Sequence, residues 1–151
     1  MNLHEAADLA HPDLLRTPDW QARLGLGFSD DAGATRLTER SHFGPLRVQK
    51  PLYPEGPQVC HAIVVHPPGG VVGGDELAVT ATVGAAAHAF ITTPGAAKWY
   101  KANGRISRQD ITLDIAAGAR LEWLPQETIF FDAAQVQLTQ SVSLAKDAGY
   151  I

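Results

Sequence analysis

Beyond residue 20 the chain alternates apolar and polar side chains with a period of two, and that period restricts it to sheet. Trp20, Ala22, Leu24, Leu26 and Phe28 alternate with Gln21, Arg23, Gly25 and Gly27 before the turn residues SDDAG. The pattern returns in Leu77-Val79-Ala81-Val83, in Ile111-Leu113-Ile115 and in Val136-Leu138, continuing to Val142-Leu144. Successive side chains of a strand point to opposite faces, so each such segment buries one face and wets the other. Residues 59–65 form a nearly continuous apolar run, which predicts a strand buried on both faces. Turn-forming clusters separate the runs: GPL at 44, YPEGP at 53, HPPGG at 66, GAA at 84 and AAG at 116. No segment after residue 20 has helical spacing. The expected fold class is all-β.

A weak internal repeat refines this expectation. VTATVGAAAHAFITTP (79–94) can be laid on ITLDIAAGARLEWLPQ (111–126) at a constant offset of 32, matching Val79 to Ile111, Val83 to Ile115, Ala87 to Ala119 and Ile91 to Trp123. Each copy reads strand, small-residue turn, strand. A period of this size points to stacked, solenoid-like or helicoidal sheet layers rather than a closed barrel, although any two hairpins share the pattern. QLTQSVSLAKDAGYI begins a third copy in which only Tyr150 and Ile151 follow the turn. A return strand needs about five residues, so a truncated last unit with an open sheet edge is expected. The chain divides into a flexible leader, 1–18, and an incomplete β domain, 19–151. In the leader, one short helix over 5–10 is expected before Pro12 and Pro18 interrupt it.

Composition excludes several functions. The net charge is −4, from 12 basic and 16 acidic residues, without the clustered basic surplus of a nucleic-acid binder. No run approaches the roughly 18 apolar residues of a membrane helix. Glu5 and Asp8 stand where a signal peptide carries Lys or Arg. The single Cys60 excludes an internal disulfide framework and a Cys-rich zinc site. The chain is expected to be soluble and cytoplasmic.

Three segments carry residues that folding alone does not demand. In His66-Pro67-Pro68-Gly69-Gly70-Val71-Val72-Gly73-Gly74-Asp75, two prolines fix the exit from a buried strand. The pairs Gly69, Gly70 and Gly73, Gly74 permit positive φ or close backbone approach. Such a turn can cradle an anion, but the Lys-Ser/Thr ending of a nucleotide loop is missing; a tight corner between sheets is the simpler reading. In the second segment, residues 92–101, Lys98, Trp99 and Tyr100 follow a Pro-Gly turn. They suit an exposed recognition edge or, equally, aromatics covering a sheet end. In the third, residues 121–132, Glu127 and Asp132 flank an apolar TIFF run on backbone expected to be irregular. Glu127 and Asp132 could serve as an acid–base pair, though the irregular backbone between them sets no distance, and solvated carboxylates beside a turn are the simpler reading. His4, His11, His42, His61, His66 and His88 are scattered without metal-ligand spacing. Cys60 and His61 are neighbours on a strand and face opposite sides. No nucleophile or dinucleotide motif is present, so the chain is read as a non-enzyme.

Taken in order, GPLRVQKPLYPEG, CHAIVVHPPGGVVGGDELAVTA, ITTPGAAKWYK and LEWLPQETIFFDAA resemble the urease accessory protein UreD family, called UreH in some bacteria. The resemblance runs from about Trp20 to about Leu144. It implies a β-rich scaffold chaperone for metallocentre assembly that binds apo-urease and UreF, and through UreF the GTPase UreG. It implies nickel insertion into urease, with nickel passing transiently through a water-filled tunnel and no permanently bound cofactor. Family members continue for roughly as long again past this point, which puts UreF docking and a complete tunnel in doubt for this chain alone. On the matching motif positions, Asp75, His66 and Glu127 are nickel-passage candidates, since carboxylate oxygen and imidazole nitrogen both serve Ni²⁺. Lys98, Trp99 and Tyr100 are partner-contact candidates. Two readings from other classes compete: a carbohydrate-active enzyme using Asp75 and Glu127, and an interaction module with no metal role.

Overall fold

A computed structural model describes residues 20–151; the leader of residues 1–18 and the helix expected within it lie outside them. The described residues form strands and no helix. In chain order these are β1 (Gln21–Asp31), β2 (Ala34–Phe43), β3 (Arg47–Val48), β4 (Val59–Val65), β5 (Glu76–Val83) and β6 (His88–Thr92). They continue with β7 (Ala97–Trp99), β8 (Ser107–Ile115), β9 (Arg120–Trp123), β10 (Thr128–Phe130), β11 (Val136–Leu144) and β12 (Gly149–Tyr150).

Two five-stranded sheets have the orders β11-β8-β5-β1-β2 and β12-β9-β6-β4-β3, and β10 and β7 form a separate parallel pair. The β1–β2 and β3–β4 pairs are antiparallel; every other ladder is parallel. The β1–β2 turn places Ala32 and Gly33 at φ of 50° and 86°. Positive φ at both central residues matches the twist of the flanking strands.

The offset of 32 in the sequence is the pairing register itself. Val79 pairs with Ile111 and Val83 with Ile115 in the first sheet, and Ala89 with Leu121 and Ile91 with Trp123 in the second. The third copy keeps the path but shortens the period, because Val136 pairs with Ser107 and Gly149 with Arg120, an offset of 29. Within each unit the interval is constant: His88 follows Glu76 by 12 residues, as Arg120 follows Arg108 and Gly149 follows Gln137. A small-residue turn sets that interval. In all three units it closes with the same hydrogen bond: Ala87 N–H to Gly84 O at 3.0 Å, Ala119 N–H to Ala116 O at 3.1 Å and Ala148 N–H to Ala145 O at 3.2 Å.

Stacking in register aligns side chains of one parity into rows facing the second sheet. One row is Leu24, Val79, Ile111 and Gln140; the next is Leu26, Ala81, Leu113 and Val142. Opposite them lie Cys60, Ala62, Ala89, Ile91, Ala119 and Leu121 from the side of the second sheet; with Leu24, Leu26, Val79, Ala81 and Leu113 these form one buried cluster, against which Ile111 and Val142 pack partly buried. Each fully buried branched side chain contributes about 1.5–3 kcal/mol. Burial also pushes the Cys60 thiol pKa up, so the thiol stays protonated as a small apolar side chain.

The strand β4 departs from expectation. Cys60, Ala62 and Val64 are buried, but His61, Ile63 and Val65 on the opposite face are only half-buried. One face is core and the other is outer surface, where the His61 ring stacks on Phe90 with centroids 4.3 Å apart.

Candidate functional site

The three segments singled out in the sequence meet along one short strand. On one side of β7, Val71 N–H donates to Lys98 O at 2.8 Å and Tyr100 N–H to Val71 O at 2.9 Å. On the other side, Ala97 N–H donates to Glu127 O at 3.0 Å and Phe131 N–H to Trp99 O at 2.9 Å. The TIF residues are therefore a strand, β10, and not the irregular backbone expected. The glycine-rich loop, β7 and β10 lie side by side as one layer.

Its glycines divide by role. Gly69 and Gly74 hold φ of 76° and 97°, a region L-residues seldom enter. Gly70 lies where a Cβ would collide with the Tyr100 ring, and a Cβ on Gly73 would stand 2.7 Å from Arg105 O. The loop is a tight corner, as its composition suggests. Four of its amides are held by acceptors of the protein itself, which leaves them unavailable to an anion. Gly69 N–H donates to His66 O, Val71 N–H to Lys98 O and Asp75 N–H to Val72 O. Val72 N–H donates to the Asp75 carboxylate at 3.0 Å.

Between the sheets, under this layer, lies a cavity of about 430 Å³. Leu77, Val79, Gln109, Ile111, Leu138 and Gln140 line it from the first sheet; Val64, Ile91 and Trp123 line it from the second. Residues 92–99, His66, Gly70 and Val71 also line it, together with residues of the return after β9 such as Gln126 and Thr128. The apolar rows are interrupted here by two inward glutamines, Gln109 and Gln140, and Gln140 donates to the Tyr150 hydroxyl at 2.5 Å. Thr92 Oγ1 donates to Leu124 O at 2.7 Å, and Thr93 Oγ1 accepts from Gln126 N–H at 3.0 Å, tying the two return loops together. These polar wall residues went unnoticed in the sequence. The available signal was a Gln at an inward position of an apolar alternation: Gln109 before Ile111-Leu113, and Gln140 between Leu138 and Val142.

The candidate residues separate in space. His66 is half-buried in the cavity wall. Burial pushes its pKa below the ordinary value near 6.5, and the Asp75 charge opposes that shift only in part. A neutral imidazole results, the form that ligates metal. Asp75, 7% exposed, stands behind Val72 as the cap of its own turn and is not among the residues lining the cavity. Glu127 is exposed and also outside the lining, so it shares no wall with Asp75 or His66. Trp99 is 1% exposed and lies in the core cluster. Burial removes it from the exposed recognition edge and leaves it the role of covering the sheet end. Its indole N–H is buried without an acceptor. Lys98 is exposed, and Tyr100 meets Phe131 with centroids 5.0 Å apart at the surface.

On the outer face of the second sheet, His88 Nε2 lies 2.7 Å from Glu122 Oε1 and His61 Nε2 lies 2.6 Å from Glu55 Oε1. These are separate pairs; among the described residues no three His, Cys, Asp or Glu side chains converge. Among the same residues no helix is long and apolar enough to cross a membrane.

Comparison with known proteins places this layer in a family context. The family described as UreD urease accessory protein matches residues 21–151. The chain is similar to the urease accessory protein UreD of Janthinobacterium sp. (strain Marseille), 69% identical over 131 residues that cover 87% of this chain and 44% of that protein. It is 58% identical to the UreD of Nitrosospira multiformis over 87% of this chain and 47% of that one. For the UreD of Dechloromonas aromatica the figures are 53%, 89% and 47%. The chain thus spans somewhat less than half the length of these relatives.

Proposed function

The chain belongs to the UreD urease accessory protein family, and from that membership we propose that it acts in urease maturation as a non-catalytic scaffold. The observation that carries the reading is the family match across all of residues 21–151, the stretch that holds both sheets and the layer over the cavity. We take the partners to be apo-urease and UreF, with the GTPase UreG reached through UreF, and the setting to be the cytoplasm. Nickel is the cargo and not a resident cofactor.

Among the candidates, His66 is the residue best suited to meet that cargo. Its ring is in the cavity wall and its neutral form offers a nitrogen lone pair to a divalent cation. The glutamine and threonine oxygens around the cavity offer weak, exchangeable contacts suited to passage. Asp75 acts on His66 through its charge, and Glu127 stands at the surface of the same layer.

The test is made in the full-length protein with urease expressed alongside. His66→Gln is expected to lower the nickel content and activity of urease, while apo-urease and UreF still co-purify with the scaffold. Asp75→Asn keeps an oxygen to cap the turn and removes the charge, so it is expected to lower nickel loading less. Normal nickel loading with His66→Gln would overturn the cargo role of the cavity. Failure of the wild-type protein to co-purify with apo-urease would overturn the maturation reading itself.

A further inference from the structure

We propose that the cavity between the sheets binds a small uncharged amide with an apolar body, whose carbonyl oxygen accepts from the indole N–H of Trp99. Trp99 is part of the cavity wall, yet its N–H is buried without an acceptor. Buried donors in folded proteins are nearly always paired, so this one is open to an acceptor that enters the cavity. The Gln109 carboxamide, half-buried in the same wall, also has no hydrogen-bond partner among the described residues. Both groups sit on strands with a neighbour on each side. β8 lies between β5 and β11, and β7 lies between β10 and the glycine-rich loop.

Size and lining select the ligand. A volume of about 430 Å³ falls within the roughly 300–1,000 Å³ of small-molecule pockets, which also combine an apolar lining with a few polar groups. Leu77, Val79, Ile91 and Ile111 supply the apolar walls. Among the described residues no Asp or Glu lines the cavity, so an ammonium head would be buried unpaired at high cost. Lys98 alternates with the inward Trp99 on β7 and is exposed. Its ammonium therefore points away from the cavity and leaves a carboxylate head unpaired as well. An uncharged amide meets both open groups. Its oxygen accepts from the Trp99 N–H, and its own N–H donates to the Gln109 carboxamide oxygen. The site shares the cavity of the cargo reading but stands apart from it, since binding is measured with no metal present.

The test titrates the full-length protein with isovaleramide, isovalerate and isopentylamine, which share one branched body and differ in the head. Nitrogen–proton correlation spectra follow the assigned indole resonance of Trp99. Isovaleramide is expected to move that resonance downfield in a saturable way, as a new hydrogen bond would. The two charged analogues are expected to bind at least about tenfold more weakly. Gln109→Leu, at a half-buried position, is expected to weaken the amide about tenfold with circular dichroism unchanged. An indole resonance that isovaleramide does not move overturns the proposal. So does equal binding of either charged analogue, or a folded Gln109→Leu protein that binds the amide like the parent.

Discussion

The two outer strands of the first sheet are built differently, and the contrast teaches how burial is distributed along its rows. β2 carries Arg36, Glu39 and Arg40, and its ladder to β1 is broken by a bulge at Gly27/Phe28. Charge and irregularity of that kind keep an edge from templating another strand. β11 has neither protection. Burial follows the same gradient along single rows: Phe28, Val83 and Ile115 are buried, yet Leu144 beside them is half exposed. The β1–β5–β8 side is finished core. The β11 side has the chemistry of core without the cover.

Four substitutions would break or sharpen that contrast. The largest effect is expected from Leu113→Ala, at the closed centre of a row, which should cost about 2–5 kcal/mol in urea unfolding. Leu138→Ala on β11 removes the same atoms from a half-exposed site and should cost less than about 1 kcal/mol. Equal losses would mean that β11 is as well covered as β8. A loss between those two, about 1–3 kcal/mol, is expected from Gly73→Ala, whose new methyl meets the Arg105 carbonyl. Gly95→Ala in the neighbouring loop meets nothing within 4 Å and should leave the melting temperature unchanged.

The smallest effect concerns pH and His66. The unfolded chain titrates this histidine near 6.5, while burial holds the folded value lower. Between those two values the unfolded state binds more protons, so stability rises with pH there. The contribution is complete above about 6.5 and is lost as pH falls through the lowered folded value. Unfolding curves of the parent and His66→Gln, taken across that interval, should converge at neutral pH and separate as acid is added, the parent losing more.

Legibility in the sequence tracked how local the cause was. The strands with strict alternation, β1, β5, β8 and β11, follow from side-chain parity alone. The offset of 32 emerged because two units share both turn and return length. It failed to extend to the third because the return after β9 is three residues shorter, and periodicity has no view of an irregular connection. The glycine loop was readable as a corner because steric demands act on single residues. The cavity was not, since Gln109 and Gln140 come together only when β8 and β11 pair. Trp99 was ambiguous for the same reason: the cluster that buries it comes from both sheets. The hairpin strand β2 and the three-residue strands β7 and β10 are too irregular in pattern, or too short, to show any alternation.

The constant 12-residue unit and the variable return have a consequence for how such a chain can change over time. Insertions and deletions in residues 93–106 or 124–135 leave the strands of the two five-stranded sheets in register, since the turn and not the return sets the register within a unit. Those same stretches hold β7, β10 and part of the cavity wall. Length variation is thereby channelled away from the two sheets and into the layer over the cavity, so the lining can be remodelled without re-solving the problem of folding.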